Sequence, residues 1–325
     1  MELSKKEKKL AKETSMKESK LQAPSEKAFK AEYHTGRFPS VSGLGHIYYK
    51  TYIPKALDKE KPVRSIFLVH GLVEHQGRQM LLPRYLEEAG EGQIMFTWID
   101  LIGHGLSGGP RAYIEKFRDF SLDVAHLINL IDGEYSPTHK MNHIIMGHSM
   151  GGLVTLKLML QESASLKAKI SGLILSNPCI RVKQEVPKIY LGAIHTVGGY
   201  LKKLRLPSIY GGDALTSDPK LAHDFDSDPL IPKFTTIGLL LQILEASKEI
   251  RSLAYYLNVP TLFLVAGQDL LVDNETTLLF ARGVANDFVT IKSYPEMKHE
   301  MYNEVGRENV FQDVRTWLGK LTENH

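Results

Sequence analysis

Cysteine is almost missing from this 325-residue chain: Cys179 stands alone. An intramolecular disulfide is thereby excluded, and the chain fits a reducing compartment. No apolar run approaches the ~20 residues that a membrane-spanning helix needs. The N-terminal stretch has no short apolar core ahead of a cleavage site, so a standard secretory signal is not expected. Charge of one sign is not in excess, with 40 Lys+Arg against 37 Asp+Glu, which gives no global electrostatic case for nucleic acid. Cys/His clusters with zinc-ligand spacing are absent. These absences leave a soluble globular protein, expected in the cytoplasm, whose length fits one large α/β domain with an insertion or two domains.

What is present falls into four stretches. Residues 1–32 are expected to form a charged flexible extension, because the first 30 residues carry nine lysines and five glutamates and little that is apolar. Such a segment buries too little surface to offset its ordering entropy; a weak tether to anionic membrane is the alternative reading. Residues 33–177 alternate strand and helix patterns. Strands are expected at His46–Ile53, Val63–His70, Gln93–Ile99 and Ile170–Ser176, with a helix whose one face carries Phe120, Val124, Leu127, Ile128 and Ile131. Residues 259–325 resume the pattern, with strands at Thr261–Ala266 and Val289–Tyr294 and helices at Glu275–Ala285 and Arg307–Leu321. This alternation implies a mostly parallel sheet covered by helices on both faces. Between them, residues 178–258 show helix-type patterns instead, through Val186, Ile189, Tyr190, Ala193, Ile194, Val197 and Leu201, and again through Ile237, Leu240, Leu241 and Leu244. Ligands sit at the carboxyl ends of parallel strands. An insertion that leaves and re-enters there is expected to form a helical cap over the site.

The stretch that organises the chain is Ile144 to Val154. A strand-type run arrives at Gly147, a helix-type run leaves from Gly151, and Gly147-His148-Ser149-Met150-Gly151 lies between. A strand that turns straight into a helix crowds the residue at the bend. Glycines two before and two after relieve the clash and leave the serine strained, with its hydroxyl exposed. Ser149 is therefore the candidate nucleophile.

A serine hydroxyl needs a general base, and the base needs an orienting carboxylate. On this kind of elbow they follow in the order serine, acid, histidine, each in a loop after a strand. Asp269 is the first carboxylate after the strand Thr261–Ala266 and is the expected acid. Asp273 is the alternative, with capping of the next helix as its other role. His299 is the histidine that follows the last strand. The backbone N–H groups of Met150, after the nucleophile, and of Leu72, in the loop after the strand ending at His70, are the expected oxyanion donors. The loop at His70 also has a glycine-rich turn, but no Lys-Ser/Thr follows it, which excludes a phosphate-binding P-loop. Glu74, His75 and Arg78 are expected to fix the oxyanion loop through a local ion pair and hydrogen bonds. Asp100 and His104 read as loop architecture, and His148 as a buried hydrogen-bonding residue.

The motifs His70-Gly71-x-x-Glu74-His75-x-Gly77-Arg78, Asp100-x-x-Gly103-His104-Gly105-x-Ser107-x-Gly109-x-Arg111 and Gly147-His148-Ser149-Met150-Gly151-Gly152 together resemble the monoacylglycerol lipase and lysophospholipase branch of the α/β-hydrolases. Ser176-Asn177-Pro178 and Asp228-Pro229-Leu230 are similar too, and the resemblance spans residues 40–320. It implies a capped serine esterase acting on single-chain lipid esters, with no metal or cofactor. Ile189, Tyr190, Ile194 and Val197 are then expected to line the substrate channel, and the cap's apolar face to touch bilayers transiently. A lysophospholipase or thioesterase on the same fold is the alternative, and a non-catalytic hydrolase-fold receptor is the alternative of another class.

Overall fold

The computed structural model describes residues 31–54, 57–162, 164–183, 201–208 and 210–323. Its centre is an 8-stranded sheet in the order β1-β2-β4-β3-β5-β6-β9-β10. The strands are β1 (Ala31–Pro39), β2 (His46–Pro54), β3 (Val63–Val69), β4 (Ile94–Asp100), β5 (Met141–His148), β6 (Ile170–Ser176), β9 (Thr261–Ala266) and β10 (Val289–Tyr294). The first two are antiparallel to their neighbours, and from β4 to β10 every pairing is parallel. This is the expected α/β-hydrolase sheet. β1 was not anticipated: it begins at Ala31, two residues ahead of the expected start of the folded body.

Side chains alternate across the sheet, so each strand feeds two apolar layers. On β3, Phe67 and Val69 join the layer under α2 (Arg118–Tyr135), α3 (Met150–Gln161) and α8 (Asn274–Arg282). Ile66 and Leu68 join the layer under α1 (Leu81–Glu88) and α9 (Arg307–Glu323). The predicted stripe Phe120, Val124, Leu127, Ile128 and Ile131 is fully buried in the first layer. Each such side chain contributes about 1.5–3 kcal/mol of burial free energy. Helix starts match their capping residues. Asp273 accepts the N–H groups of Glu275 and Thr276 at the head of α8, and Thr236 accepts that of Leu239 at the head of α7 (Ile237–Ile250).

The segment between β6 and β9 is not purely helical. Besides α7 it holds α5 (Gly212–Leu215) and α6 (Pro219–Ser227), and a short antiparallel ribbon of β7 (Arg205–Pro207) and β8 (Phe234–Thr236). The channel positions Ile189, Tyr190, Ile194 and Val197 lie outside the described residues. Parallel pairing aligns the strand ends: Gly147 of β5 sits opposite Val69 of β3 and Leu175 of β6. The loops after β3, β5, β6, β9 and β10 therefore open at one edge of the sheet, and they carry His70, Ser149, Asn177, Asp269 and His299.

Candidate active site

Ser149 occupies the bend between β5 and α3 with φ +52° and ψ −119°, a conformation that non-glycine residues adopt only under strain. The neighbouring glycines are required by close approach. A Cβ on Gly151 would lie 2.1 Å from the Val69 carbonyl oxygen, and one on Gly147 would lie 2.6 Å from that of Gly151. Backbone bonds hold the bend: Ser149 N–H donates to the Ser176 carbonyl at 3.0 Å, and its own carbonyl accepts from Cys179 at 2.9 Å.

Asp269 and His299 meet beside it. His299 Nδ1 and Asp269 Oδ2 are 2.6 Å apart, and both residues are buried. The other carboxylate oxygen of Asp269 accepts the N–H groups of Leu271 at 2.7 Å and Val272 at 3.0 Å. Burial alone would push the Asp269 carboxyl up; the facing His299 and these hydrogen bonds outweigh it and hold the pKa below the usual range. Burial would likewise push the His299 imidazole down, and the Asp269 carboxylate, with smaller help from Glu300 and Glu74, reverses this, so its pKa is raised. Asp273 faces away as the helix cap described above.

The loop after β3 presses against Ser149: a Cβ on Gly71 would lie 3.1 Å from Ser149 Cβ. Leu72 and Met150 both line the same cavity as Ser149, and Met150 is the first residue of α3, whose N–H has no partner within the helix. His70 fixes the start of this loop. Its Nε2 accepts the Leu101 N–H at 3.0 Å, so Nδ1 carries the proton donated to the Gly71 carbonyl at 2.8 Å. Burial keeps that imidazole neutral.

The expected ion pair of this loop exists, but it is not local. Arg78 pairs with Glu300 at 2.5 Å, and His75 Nε2 with Asp228 at 2.9 Å. The reason is chain geometry: the charged side chains of Arg78 and His75 reach the His299 loop and the end of α6 rather than Glu74. Glu74 instead accepts the Gly71 N–H. Of the buried acids, Glu300 keeps its charge despite burial because Arg78 and Asn303 face it. Glu74 is pushed up to about 7, by burial first and by the Glu300 charge second. Asp100 accepts N–H groups from Gln76 and Leu106 at 2.8 and 2.7 Å, as expected of loop architecture.

Two features escaped sequence reading. Asn177, at φ +42°, joins three loops: its Nδ2 donates to the His299 carbonyl at 2.8 Å and its Oδ1 accepts the Ala266 N–H at 2.8 Å. Only its place in the Ser176-Asn177-Pro178 motif hinted at a role. The second is the wall of the cavity, about 480 Å³ in volume, with Ser149 and His299 among its lining residues. The same cavity is lined by Leu206, Leu215, Phe225, Phe234, Leu240 and Ile243. These come from the ribbon and helices of residues 205–243, and the sequence reading had placed the channel on residues 189–197.

Fold and site define the class: an α/β-hydrolase with serine at the elbow. The family model described as serine aminopeptidase, S33, matches residues 60–306, and the chain belongs to that family. It is similar to a monoacylglycerol lipase of Mycolicibacterium smegmatis, at 25% identity over 86% of this chain and 95% of the relative. It is also similar to phospholipase YtpA of Bacillus subtilis, at 27% identity over 79% of this chain and 96% of the relative. Among solved structures, a soluble variant of the Saccharomyces cerevisiae monoglyceride lipase, in complex with a substrate analog, superposes with TM-score 0.74. It is 19% identical and covers 92% of this chain and 98% of that one. The expectation of an enzyme of the α/β-hydrolase fold, similar to monoacylglycerol lipases, is borne out. Among the described residues no helix is long and apolar enough to cross a membrane.

Proposed function

We propose that the protein is a carboxylic ester hydrolase of single-chain lipids of the monoacylglycerol type, with Ser149, His299 and Asp269 as its catalytic triad. The carrying observation is the Asp269–His299 pair at 2.6 Å, with His299 and the strained Ser149 lining one apolar cavity. In this reading His299 takes the Ser149 proton as the hydroxyl attacks the acyl carbon. The N–H groups of Leu72 and Met150 face the oxyanion, and Asp269 steadies the imidazolium. His299 then returns the proton to the leaving alcohol and activates the water that frees the acid. Residues 178–258 act as the cap, with Ile189, Tyr190, Ile194 and Val197 continuing the acyl channel and touching bilayers transiently.

Electrostatics favour a lipid over a peptide. Of the two carboxylates among the described lining residues, Glu300 is neutralised by Arg78 and Glu74 is held toward its neutral form. Neither is a fully charged, unpaired carboxylate of the kind that would hold a peptide ammonium. The similarity to a phospholipase supports lysophospholipids as the second substrate class. The experiment is a turnover profile over monoacylglycerols, lysophospholipids, peptide amides and short p-nitrophenyl esters, for wild type and Ser149→Ala. Multiple turnovers on monoacylglycerols, lost in the variant, are expected. Preference for peptide amides, or activity retained by the variant, overturns the reading.

A further inference from the structure

Behind the catalytic pair lies a second, much smaller cavity. It has about 10 Å³ open to the centre of a water molecule, and is lined by Glu74, Arg78, Gln79, His148, Glu300, Tyr302 and Asn303. Glu74, His148 and Glu300 also line the large cavity, so the two abut. Most of the remaining polar capacity is accounted for. Arg78 and Asn303 bind Glu300, and Glu74 accepts the Gly71 N–H. Three atoms of the lining residues have no protein partner: Gln79 Oε1, His148 Nδ1 and Tyr302 OH. All three residues are more than nine-tenths buried. Ser176 neighbours two of them, its hydroxyl beside Tyr302 and its backbone beside His148, but neither contact has full hydrogen-bond geometry.

Three orphaned polar groups around one small cavity are a costly arrangement if dry. A buried polar atom left unpaired loses its hydration without return, and such atoms in native folds are answered by ordered water. The space suits one molecule, which needs roughly 10–15 Å³ by this measure and two to four polar partners. The chemistry is complementary as well. Burial and the neighbouring His299 push His148 down to about 3, so its ring is neutral at working pH, and its tautomer is set by what meets Nδ1. The Tyr302 hydroxyl can donate or accept, and Gln79 Oε1 accepts.

We propose that Gln79, His148 and Tyr302 bind one buried water molecule behind the catalytic histidine, and that through it Tyr302 acts as a positioning residue for His299. The link to His299 is direct. The His148 ring packs on the His299 ring with centroids 4.8 Å apart, at an interplanar angle of 54°. Fixing the His148 ring fixes the surface against which the His299 imidazole rests as it turns between Ser149 and the leaving alcohol. The same cavity adjoins Arg78 and Asn303, which hold the residue next to His299 in the chain. The water therefore backs both the ring and its loop.

Two measurements test this. In a crystal structure of the full chain at about 1.5 Å resolution or better, one water is expected within hydrogen-bond distance of at least two of the three atoms. A dry cavity, or side chains rotated to bond each other, overturns the proposal. The second measurement rests on the triad reading and uses turnover of a p-nitrophenyl ester by Tyr302→Phe, Gln79→Met and the double variant. Tyr302→Phe is expected to lower kcat roughly 3- to 10-fold with KM unchanged. The double variant should be no worse than the more impaired single one, because both lose the same water. A tyrosine that only fills space predicts the reverse: removing a hydroxyl without a protein partner leaves kcat intact. Unchanged kcat in Tyr302→Phe, or multiplying losses in the double variant, overturns the positioning role. Failure of the triad reading is distinguishable, since it appears as Ser149→Ala retaining activity while the crystallographic result stands.

Discussion

Asp269 gives one carboxylate oxygen to His299 and the other to two backbone N–H groups, whereas both oxygens of Asp273 serve the head of α8. Asp269→Asn is therefore expected to lower kcat by on the order of 10⁴, because the amide favours the wrong imidazole tautomer. Asp273→Asn should cost less than tenfold and act mainly on melting temperature, by about 1 kcal/mol; reversed costs would exchange their roles. The pH profile carries the same information with a sign. Turnover requires neutral His299, and Asp269 raises its pKa against the effect of burial. The acid limb of kcat/KM should then have its midpoint above the ordinary histidine value of 6.5. In the residual activity of Asp269→Asn the midpoint should move down, since the largest raising influence is lost and only those of Glu300 and Glu74 still oppose burial; an upward move would contradict the assignment. Ser149 permits a stability test of its own. Its positive φ is strained by roughly 1–3 kcal/mol, and glycine adopts it freely at an entropic cost of about 0.5–1 kcal/mol. Ser149→Gly should abolish turnover yet raise stability by about 1 kcal/mol in urea unfolding.

At the scale of elements, legibility in the sequence followed periodicity. The long amphipathic helix α2 and the apolar strands β3 to β6 were readable because burial on a regular backbone imposes a regular pattern. β7 and β8 were not, because three residues are too few to show a period, and Arg205-Leu206-Pro207 is exposed along its length. β1 was missed because Glu32, His34 and Arg37 interrupt its apolar positions. The tie between α6 and the oxyanion loop was equally hidden: His75 and Asp228 are 153 residues apart. That tie is testable. Burial, the largest single influence, pulls the His75 pKa down; the hydrogen bond to Asp228 and the charges of Asp100, Asp228 and Glu74 together outweigh it, and the net shift is upward. A raised folded-state pKa contributes stability that is complete below the ordinary histidine range and fades as pH rises through the folded value. Asp228→Asn should accordingly destabilise by about 1–3 kcal/mol at pH 6 and by less at pH 9. Equal losses at both pH values would show that the charge on His75 takes no part. Arg78 packs over the Phe225 ring at 5.0 Å, so loosening α6 should also disturb the wall of the cavity.

For the molecule as a whole, the reading of the candidate site divides along the chain. Ser149, Asp269 and His299 were legible because each occupies a fixed slot after a strand. Asn177 and Glu300 gain their roles only from tertiary contacts with distant loops, and the apolar wall belongs to residues whose sequence reads as ordinary core. That wall sets a prediction on scope. Ile243, on α7, lines the same cavity as Ser149. Ile243→Trp should raise KM for long-chain monoacylglycerols by roughly tenfold or more, while a p-nitrophenyl acetate is hydrolysed as before; equal losses on both would place Ile243 outside the acyl path. The strand order has a consequence for biosynthesis. β6 takes β9 as its parallel neighbour, with Leu173 opposite Thr261, and residues 177–260 must be made between them. At about 5–20 residues per second, a nascent chain carries the bare edge of β6 for several seconds, with Ser149 already made and neither Asp269 nor His299 yet synthesised. An apolar strand edge in that state is a template for pairing with another chain. The last-made strands, first β9 and then β10, thus close the sheet and bring Asp269 and His299 to Ser149, so ribosome-bound intermediates that end before them should be inactive.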